Sequence, residues 1–451
     1  MRNLSVAKFG GTSVANHAAM VACAKIVTAD PNTRIVVLSA SAGITNLLVE
    51  LAAGCDEGKR EQLLVEVRRI QENILNELAD ASLVRPEIER LLESIKSLSE
   101  AASLATSPAL TDELISHGEM MSTRIFIQVL RELNVQATWL DVRNLIATNS
   151  NFGKAAPDDE KTLKNSRLIL KPLIDHGELV ITQGFIGRDE KGRTTTLGRG
   201  GSDYSAALIA EILEAKDVLI WTDVAGIYTT DPRVVPQARR IDTMSFAEAA
   251  EMATFGAKVL HPATLLPAVR SNIPVYVGSS KAPQDGGTWV TRDPQPRPTF
   301  RAIALRRDQT LLTLSSLNML HAQGFLAKVF GILAQHKISV DTITTSEVSI
   351  ALTLDKTGST SSATDLLSRD LLSQLSEICT VKVDTGLSLV ALIGNDLHIA
   401  SGVAKRIFST LENYNIRMIS YGASTNNICM LTYSEHADDI VRALHKELFE
   451  N

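Results

Sequence analysis

The chain has 451 residues, of which 45% are hydrophobic and 21% are charged, and its formal net charge at pH 7 is -6. This length predicts two or three domains, and the composition is that of an ordinary globular protein. The acidic balance disfavours a general binder of nucleic acid or of anionic membranes, since both need a basic surface. A polyanion such as ATP would have to be met by locally placed cations.

The four cysteines lie far apart and lack the spacing of a zinc site. Reduced thiols in a cytoplasmic protein are therefore expected. The N-terminal residues show no signal-peptide pattern, and no apolar run approaches the ~18 residues that a membrane span needs. We expect a cytoplasmic protein with no membrane and no nucleic acid among its partners.

Up to about residue 280, short apolar segments alternate with helical patterns. Strands are predicted over residues 4–9, 34–39, 136–141, 179–182, 218–222 and 274–277, which are rich in Val, Ile and Leu. Helices are predicted over residues 202–213 and 245–253, and residues 61–135 are mostly helical in pattern. The alternation predicts an α/β domain over residues 1–280, with a mainly parallel sheet covered by helices.

Residues 281–299 contain four prolines and two glycines, a composition that predicts a linker between domains. An internal repeat follows over residues 300–451, in which Gly324 is matched by Gly402. Each copy reads strand, glycine turn, amphipathic helix, strand, loop, strand. This is the arrangement of a ferredoxin-like βαββαβ module.

The two modules are predicted at about residues 310–385 and 386–451. The segment RAIALR, at residues 301–306, has the pattern of an additional strand and can complete the second module. Two tandem modules are too few for a solenoid, so a pair of packed modules is expected.

The first motif of chemical interest is VAKFGGTSV, at residues 6–14, in which a strand runs into Gly10 and Gly11 before residues 12–13 open a helix. Glycines allow backbone N–H groups to approach phosphate oxygens, and a helix start favours negative charge. Lys8, at the end of the strand, can reach the same phosphates. The motif therefore indicates phosphate binding, with an ordinary strand–turn–helix and a solvated lysine as the alternative.

Three further motifs stand at predicted strand ends or helix starts. VLSASAGITN, at residues 37–46, places small residues at a strand end. The segment 194–213 surrounds Arg199 with glycines, and a guanidinium there suits a carboxylate or a phosphate, although Ser202 can be a plain N-cap. WTDVAGIYTTDPRVV, at residues 221–235, follows a strand end, where parallel α/β sheets bind ligands, although it can also be a structural loop.

Missing motifs disfavour several enzyme classes. The chain has no GxxxxGK[ST], which excludes a P-loop enzyme, and no GxGxxG in a βαβ setting, which disfavours a dehydrogenase. The HRD and DFG motifs of protein kinases are absent as well.

Together, KFGGTSV, TLGRGGSD and WTDVAGIYTTDPR resemble the aspartokinases of the amino-acid kinase superfamily, and the resemblance covers nearly the whole chain. The blocks SPALTDELISHGE (107–119) and SVDTITTSEVS (339–349) are similar to the lysine-inhibited, single-activity class. The tandem repeat resembles the paired ACT modules that bind regulatory amino acids. The resemblance implies a three-layer αβα amino-acid kinase fold followed by two ACT modules.

The implied activity is ATP-dependent phosphorylation of the β-carboxylate of L-aspartate to 4-phospho-L-aspartate, with Mg²⁺ carried by the nucleotide. This reaction is the first step of the pathway to lysine, threonine and methionine, and the implied feedback inhibitor is L-lysine. A homodimer through the ACT modules, or a tetramer, is expected. The alternatives are another enzyme of the superfamily, such as a glutamate or acetylglutamate kinase, and an amino-acid-sensing protein without catalysis.

The resemblance also implies roles for individual residues. The ATP phosphates would be held by Lys8, Gly10, Gly11 and Ser13. The aspartate pocket would be formed by Thr45, Glu119, Phe185, Arg199 and Ser202, while Asp203 would orient Lys8. The rest of the nucleotide would be surrounded by Thr222, Asp223, Tyr228, Arg233 and Lys258. The effector lysine would be bound by Met319, Phe325, Leu326, Ser339, Val340, Asp341, Ser346 and Glu347.

The chemistry of this reaction needs no general base, because the attacking carboxylate is already ionised at pH 7. Asp203 is therefore not assigned as a base. The obstacle is repulsion between a carboxylate and the triphosphate, so catalysis must consist of positioning and charge neutralisation.

Overall fold

The structure, a computed structural model, describes residues 3–256, 260, 265–319, 323–355 and 367–450. The chain divides into two compact units. The first comprises Met1–Ile227, Arg240–Ala250 and Lys258–Gln295, and the second comprises Tyr228–Arg239, Glu251–Ala257 and Pro296–Asn451. Within the described part of the chain, every helix is too short or too polar to span a bilayer.

The first unit is an α/β domain. Its strands, in chain order, are β1 (Ser5–Phe9), β2 (Thr33–Leu38), β3 (Thr138–Leu140), β4 (Val180–Gln183), β5 (Ile186–Arg188), β6 (Thr194–Thr196), β7 (Asp217–Thr222), β8 (Thr243–Ser245), β9 (Val275–Ser279) and β10 (Gly287–Thr291). Its helices are α1 (His17–Ala29), α2 (Ile44–Ala52), α3 (Glu57–Leu75), α4 (Arg85–Leu104), α5 (Pro108–Glu132), α6 (Asp159–Asn165), α7 (Lys171–Asp175), α8 (Gly201–Leu213), α9 (Phe246–Thr254, which ends in the second unit) and α10 (Leu266–Ser271).

Eight of these strands form one sheet in the order β3-β4-β2-β1-β7-β9-β10-β8, and β5 pairs with β6 in a small hairpin. Neighbouring strands are parallel except for β9 and β10. All residues of β1 are buried, because helices cover both faces of a parallel sheet. After β1 the chain adds β2, β3 and β4 on one side of β1, and it later adds β7 on the other side. The order of strands therefore reverses beside β1.

The helices of residues 61–135 form a layer that packs mainly around α5. Helix α5 contacts α2 and α4 and is buried over most of its length. Its apolar residues join β1, β2, α1 and α2 in one hydrophobic core that includes Phe9, Leu38 and Phe126. This core holds the carboxyl ends of β1 and β2 rigidly, and the candidate site lies at those ends.

All six predicted strands are present, with their ends shifted by up to two residues. The predicted linker at residues 281–299 needs correction, because it contains β10, which pairs with both β9 and β8. In β10 the side chains of Thr288 and Val290 are buried, in the alternation of a strand with one face on a core. Four prolines and two glycines around a five-residue strand hid that alternation.

The second unit contains one antiparallel sheet of six strands in the order β12-β13-β11-β14-β16-β15. The strands are β11 (Phe300–Ser315), β12 (Ser339–Thr345), β13 (Ser349–Asp355), β14 (Thr380–Gly394), β15 (Ile416–Tyr421) and β16 (Asn427–Tyr433). The helices are α11 (Phe325–Gln335), α12 (Arg369–Ser376), α13 (Val403–Thr410) and α14 (Ala437–His445).

The two long strands β11 and β14 pass through both modules. Leu314 pairs with Val381 in the first module, and Ile303 pairs with Leu392 in the second. The segment 301–306 therefore pairs with the strand that begins the second module, although it precedes the first module in the chain. Each module has a hydrophobic core of its own.

Candidate active site

The site is built at the carboxyl edge of the first sheet, where β1 ends in two glycines. The Gly10 N–H donates to the Trp221 carbonyl of β7 over 3.1 Å. A Cβ atom on Gly11 would lie 2.8 Å from the Ala40 carbonyl oxygen, so only glycine allows this close approach to the segment after β2. The helix predicted to open at residues 12–13 is a single 3₁₀ turn, Gly11–Val14, and α1 begins only at His17, after the cap Asn16.

Lys8 and Asp203 form an ion pair beside this turn. The Lys8 Nζ lies 2.6 Å from the Asp203 Oδ1, and the two side chains are 11% and 14% exposed. Asp203 stands in the first turn of α8, which begins after Gly200 in a left-handed conformation. Gly200, and not Ser202, is therefore the N-cap of α8. The ion pair holds the ammonium of Lys8 at the end of β1, next to the backbone N–H groups of the turn.

Glu119 brings a second carboxylate to the same edge. It is buried on α5, and its Oε1 accepts a hydrogen bond from the Ala40 N–H over 3.1 Å. Its Oε2 is also buried and has no hydrogen-bond partner among the described residues. Burial raises the pKa of Glu119 to about 7, against the opposing effects of backbone hydrogen bonds and of the Lys8 charge. A buried carboxylate oxygen without a partner indicates room for a ligand that donates hydrogen bonds.

The end of β4 packs tightly against the start of α8. A Cβ atom on Gly184 would lie 2.6 Å from the Ser202 Cβ, and one on Gly201 would lie 2.8 Å from the Phe185 ring. Phe185 itself has a φ of 71°, which is rare for a non-glycine residue, and its N–H donates to the Ser205 hydroxyl over 3.0 Å. Such strain is characteristic of functional sites held in place by surrounding structure.

Arg199 differs from the other charged residues of the site because it is exposed and makes no hydrogen bond or ion pair within the described ranges. It lies between Gly198 and Gly200, whose φ values are 79° and 75°. The unpaired guanidinium of Arg199 thus lies on a turn whose backbone conformation is easily adopted only by glycine.

Thr45 is half-buried in the first turn of α2, after Gly43 in a left-handed conformation.

Ser280, which the sequence did not single out, connects the strand ends together with the predicted residue Ser13. The Ser13 and Ser280 hydroxyls are hydrogen-bonded over 2.7 Å, and the Ser280 hydroxyl donates to the Thr222 carbonyl over 3.1 Å. These contacts join the turn after β1 to the ends of β7 and β9. The Thr222 hydroxyl donates to the exposed Asp223 carboxylate over 3.1 Å. Ser280 lies directly after β9 but three positions beyond the end of the predicted strand 274–277, so little in the sequence indicated its role.

Two predicted nucleotide residues belong to the second unit. Tyr228 is half-buried, and Arg233 is 90% exposed at the side chain and pairs with Asp231 over 2.7 Å. Lys258 lies outside the described residues. The described residues contain no group of three or more His, Cys, Asp or Glu side chains that could hold a metal ion.

The predicted effector residues also lie in the second unit, in the turn after β11, at the start of α11, on β12 and in the turn before β13. Asp341 pairs with Arg306, with 2.9 Å between Oδ2 and Nη1. Glu347 is exposed, and the neighbouring Ser346 hydroxyl accepts from the Ser349 N–H over 3.1 Å. The remaining predicted effector residues are Met319, Phe325, Ser339 and Val340, which are half-buried, and Leu326, which is exposed.

Comparisons with known proteins agree with this architecture. The sequence profile described as the amino acid kinase family matches residues 3–279, and an ACT domain profile matches residues 390–448. The chain is 63% identical to lysine-sensitive aspartokinase 3 of Escherichia coli, with all of both chains covered. It is 35% identical to chloroplastic aspartokinase 1 of Arabidopsis thaliana, covering 99% of this chain and 80% of the relative.

Two solved structures are similar over 99% of this chain and 100% of theirs, each at 63% identity. One is E. coli aspartokinase III in complex with aspartate and ADP in the R-state, with a TM-score of 0.90. The other is the same enzyme in complex with lysine and aspartate in the T-state, with a TM-score of 0.86.

Proposed function

The chain belongs to the aspartokinases of the amino acid kinase family, and from that premise we propose that it transfers the γ-phosphoryl group of ATP to the β-carboxylate of L-aspartate. The products are 4-phospho-L-aspartate and ADP, and L-lysine is the feedback inhibitor. The observation that carries this proposal is the Lys8–Asp203 ion pair beside the glycine turn, at the same sheet edge as the unpartnered oxygen of Glu119.

The phosphate side of the site is formed by Lys8 and the glycine turn. The Lys8 ammonium and the Gly11 N–H stabilise negative charge on the transferring phosphoryl group, with the Ser13 hydroxyl beside them. Gly10 contributes by its lack of a side chain, because its N–H already donates to the Trp221 carbonyl. Preorganised groups of this kind are effective because they do not have to reorient during the reaction. Asp203 keeps the ammonium in place and takes no proton from the substrate, since the attacking carboxylate is already ionised.

The amino-acid side of the site holds the substrate at its α-carbon. The Arg199 guanidinium binds the α-carboxylate through two parallel N–H donors, and Glu119 accepts from the α-ammonium with its free Oε2. Thr45, Phe185 and Ser202 line the pocket. The β-carboxylate is then the one group left free to attack phosphorus, and positioning supplies much of the rate.

The nucleotide would carry Mg²⁺ into the site, because this ion usually keeps several waters and takes few protein ligands. When bound, it neutralises charge on the β- and γ-phosphates. The resemblance to the family assigns the remaining nucleotide contacts to Thr222 and Asp223, at the end of β7, and to Tyr228, Arg233 and Lys258.

The regulatory part of the proposal concerns the second unit. L-lysine binds the first module through the ammonium-accepting carboxylates Asp341 and Glu347, and its apolar stem contacts Met319, Phe325 and Leu326. The protein is a cytoplasmic homodimer, or a tetramer, that assembles through its ACT modules. Exposed apolar side chains on the first module, including Leu326, Phe330 and Val348, support such an interface.

The decisive experiment is aspartate-dependent ATP consumption in which hydroxylamine traps the acyl phosphate. Aspartate should yield a β-hydroxamate, whereas glutamate and N-acetylglutamate should yield none. Lysine should inhibit the reaction, and threonine should not. ATP consumption that is independent of the acceptor would contradict the assignment, and the absence of turnover with tight lysine binding would support a sensor without catalysis.

A further inference from the structure

Asp112, on the first turns of α5, is a buried carboxylate that the mechanism above does not use. Its side chain is nearly inaccessible, with a relative exposure of 1%. The Gly153 N–H donates to Oδ1 and Oδ2 over 3.0 and 2.9 Å. The Thr196 N–H donates to Oδ2 over 2.7 Å, and the Thr196 hydroxyl donates to Oδ1 over 2.9 Å. No cationic side chain of the described residues pairs with it.

Both segments that Asp112 binds border the turn that carries Arg199. Thr196 is the last residue of β6, three positions before Arg199. Gly153 lies against the other side of the turn, since a Cβ atom on Gly198 would lie 3.2 Å from the Gly153 carbonyl oxygen. The loop around Gly153 is also joined to β6 by the Ala155 N–H, which donates to the Thr196 carbonyl over 2.9 Å.

Arg199 itself contributes nothing to holding this turn, because its side chain has no partner in the described structure. The glycines on either side of it impose few conformational limits. The position of the guanidinium is therefore determined by the backbone contacts at the two ends of the turn. Asp112 supplies the contacts upstream, and the start of α8 supplies those downstream.

The same helix carries Glu119. Residues seven positions apart lie two turns apart on nearly the same face of a helix, about 10 Å along its axis. Helix α5 is buried along most of its length, so the spacing between Asp112 and Glu119 is rigid. A rigid element thus connects the residue that holds the Arg199 turn to the carboxylate that faces the ligand.

We infer that Asp112 is a positioning residue that sets the distance between Glu119 and Arg199. Because this inference rests on the proposed function, that distance is the one between the groups that bind the α-ammonium and the α-carboxylate of the substrate. Asp112 thereby contributes to selection of an α-amino acid over acceptors that lack either group.

The substitution Asp112→Asn tests this inference, because all the contacts of the carboxylate come from donors. An asparagine has one acceptor oxygen, and its NH₂ group can be satisfied here only if the Thr196 hydroxyl turns to accept from it. The Gly153 N–H then loses one of its two acceptor oxygens and faces an NH₂ group instead. The Arg199 turn then shifts. We expect the KM for aspartate to rise between about 10- and 100-fold, with the KM for ATP within about twofold of wild type.

Asp189→Asn is the matched control. Asp189 is also a buried carboxylate that accepts from backbone N–H groups, those of Lys191 and Arg193. It contacts the same loop as Gly153 through the Ser150 hydroxyl over 2.9 Å, but within the described structure it makes no hydrogen bond with Thr196 or the Arg199 turn. Its substitution should lower the melting temperature without changing the KM for aspartate.

A double-mutant cycle with Arg199→Ala separates positioning from general loss of stability. If Asp112 acts through Arg199, Asp112→Asn should raise the KM for aspartate by less than about twofold in the Arg199→Ala background.

Thr196→Val in the otherwise wild-type chain removes a single hydrogen bond to Asp112. This variant should raise the KM for aspartate by about two- to fivefold, and it remains testable if Asp112→Asn does not fold. Additive effects, or an unchanged KM in either folded variant, would overturn the inference. Failure of the proposed function is distinct, because the wild type would then lack aspartate-dependent turnover.

Discussion

Two carboxylates near the end of β1, one buried and one partly buried, differ in what they contact. Asp203 is paired with Lys8, whereas Glu119 has one oxygen bonded to the Ala40 N–H and one oxygen without a described partner. The pairing with Lys8 compensates the partial burial of Asp203, whereas burial raises the pKa of Glu119. One carboxylate thus serves the protein's own lysine, and the other is available to a cationic ligand.

Lys8→Ala should lower kcat by about 10²–10³-fold, because the transferring phosphoryl group loses a preorganised cation. The variant should also be less stable by up to about 3 kcal/mol, since Asp203 stays buried without its partner. Adding Asp203→Asn should restore the melting temperature but not kcat. The control Lys59→Ala removes an exposed ion pair with Glu50 and should change neither quantity. Wild-type turnover in folded Lys8→Ala would contradict the role of Lys8.

The pKa of Glu119, about 7, predicts a pH dependence of substrate binding. Only the ionised carboxylate pairs with an α-ammonium, so the KM for aspartate should rise about tenfold as the pH falls from 8 to 6. Glu119→Gln should bind aspartate weakly and lose this dependence. A pH-independent KM in the wild type would exclude Glu119 as the ammonium acceptor.

The same pKa shift predicts the sign of a stability effect. Because the pKa of Glu119 is raised on folding, from 4.5 to about 7, the folded protein holds a proton that the unfolded chain releases between these values. Stability therefore falls as the pH rises through that window, and the ionised carboxylate remains unfavourable above it. Unliganded Glu119→Gln should melt at a higher temperature than wild type at pH 8 and at nearly the same temperature at pH 4.

At the scale of elements, the site depends on how closely the end of β4 approaches α8. Gly184 has no side chain where a Cβ atom would meet the Ser202 Cα and Cβ at 2.7 and 2.6 Å. Gly184 follows β4 and Ser202 lies on α8. Because both elements are packed, neither residue can move away without a shift of the backbone. The close packing of Phe185 and Ser202, which line the proposed aspartate pocket, therefore requires glycine at residue 184.

Gly184→Ala should separate β4 from α8, raise the KM for aspartate at least about tenfold and cost about 1–3 kcal/mol of stability. Gly58→Ala on α3 is the control, because its Cβ atom would meet only the Asp56 carboxylate at an ordinary 3.5 Å. That change should leave the KM unchanged and raise stability by up to about 1 kcal/mol. Unchanged aspartate kinetics in Gly184→Ala would show that the close approach is not needed for binding.

At the scale of the molecule, the second unit includes a chain segment, residues 228–239, that stands in the sequence between two segments of the first unit. The Ile303 N–H donates to the Thr229 carbonyl over 2.7 Å, and the Thr229 hydroxyl is hydrogen-bonded to the buried His445 over 2.9 Å. Val235 is buried in the core of the second module. Residues 228–239 therefore fold with the C-terminal part of the chain.

A chain ending at Gln295 should accordingly be defective beyond losing lysine control. Its residues 228–239 would lack Ile303, His445 and the core that covers Val235. Trypsin should cleave after Arg239 at least about tenfold faster than in the full chain, because local unfolding becomes easier. Equal cleavage rates would show that the segment folds without the second unit. Cleavage at Arg69, on α3 of the first unit, serves as the internal control.

The effector proposal predicts that Glu347→Ala raises the lysine concentration for half inhibition about tenfold, a loss of about 1.4 kcal/mol. Glu347 is exposed, so uninhibited kcat and stability should stay near wild type. Glu377→Ala, another exposed carboxylate of the second unit, should leave inhibition unchanged. Asp341→Ala should also weaken inhibition, but it breaks the ion pair with Arg306 and is expected to lower stability as well. Wild-type lysine sensitivity in Glu347→Ala would place the effector elsewhere.

The sequence alone determined the features that depend on local pattern. The strands β2 and β7 contain the continuous apolar runs IVVL and VLIW, as buried parallel strands should, and the glycines after β1 indicated a tight turn. Lys8 could be chosen because it stands at a strand end in a parallel sheet. The internal match of Gly324 and Gly402 indicated two similar modules.

Other features were decided only by the tertiary structure, because they arise from residues far apart in the chain. Asp203 meets Lys8, and Asp112 meets Thr196, through packing of separate elements that no periodicity records. The burial that raises the pKa of Glu119 comes from neighbouring elements, not from its own helix. In the same way, β10 is a strand because β8 and β9 are there to pair with it, and β11 and β14 join both modules because antiparallel partners are selected by register in three dimensions.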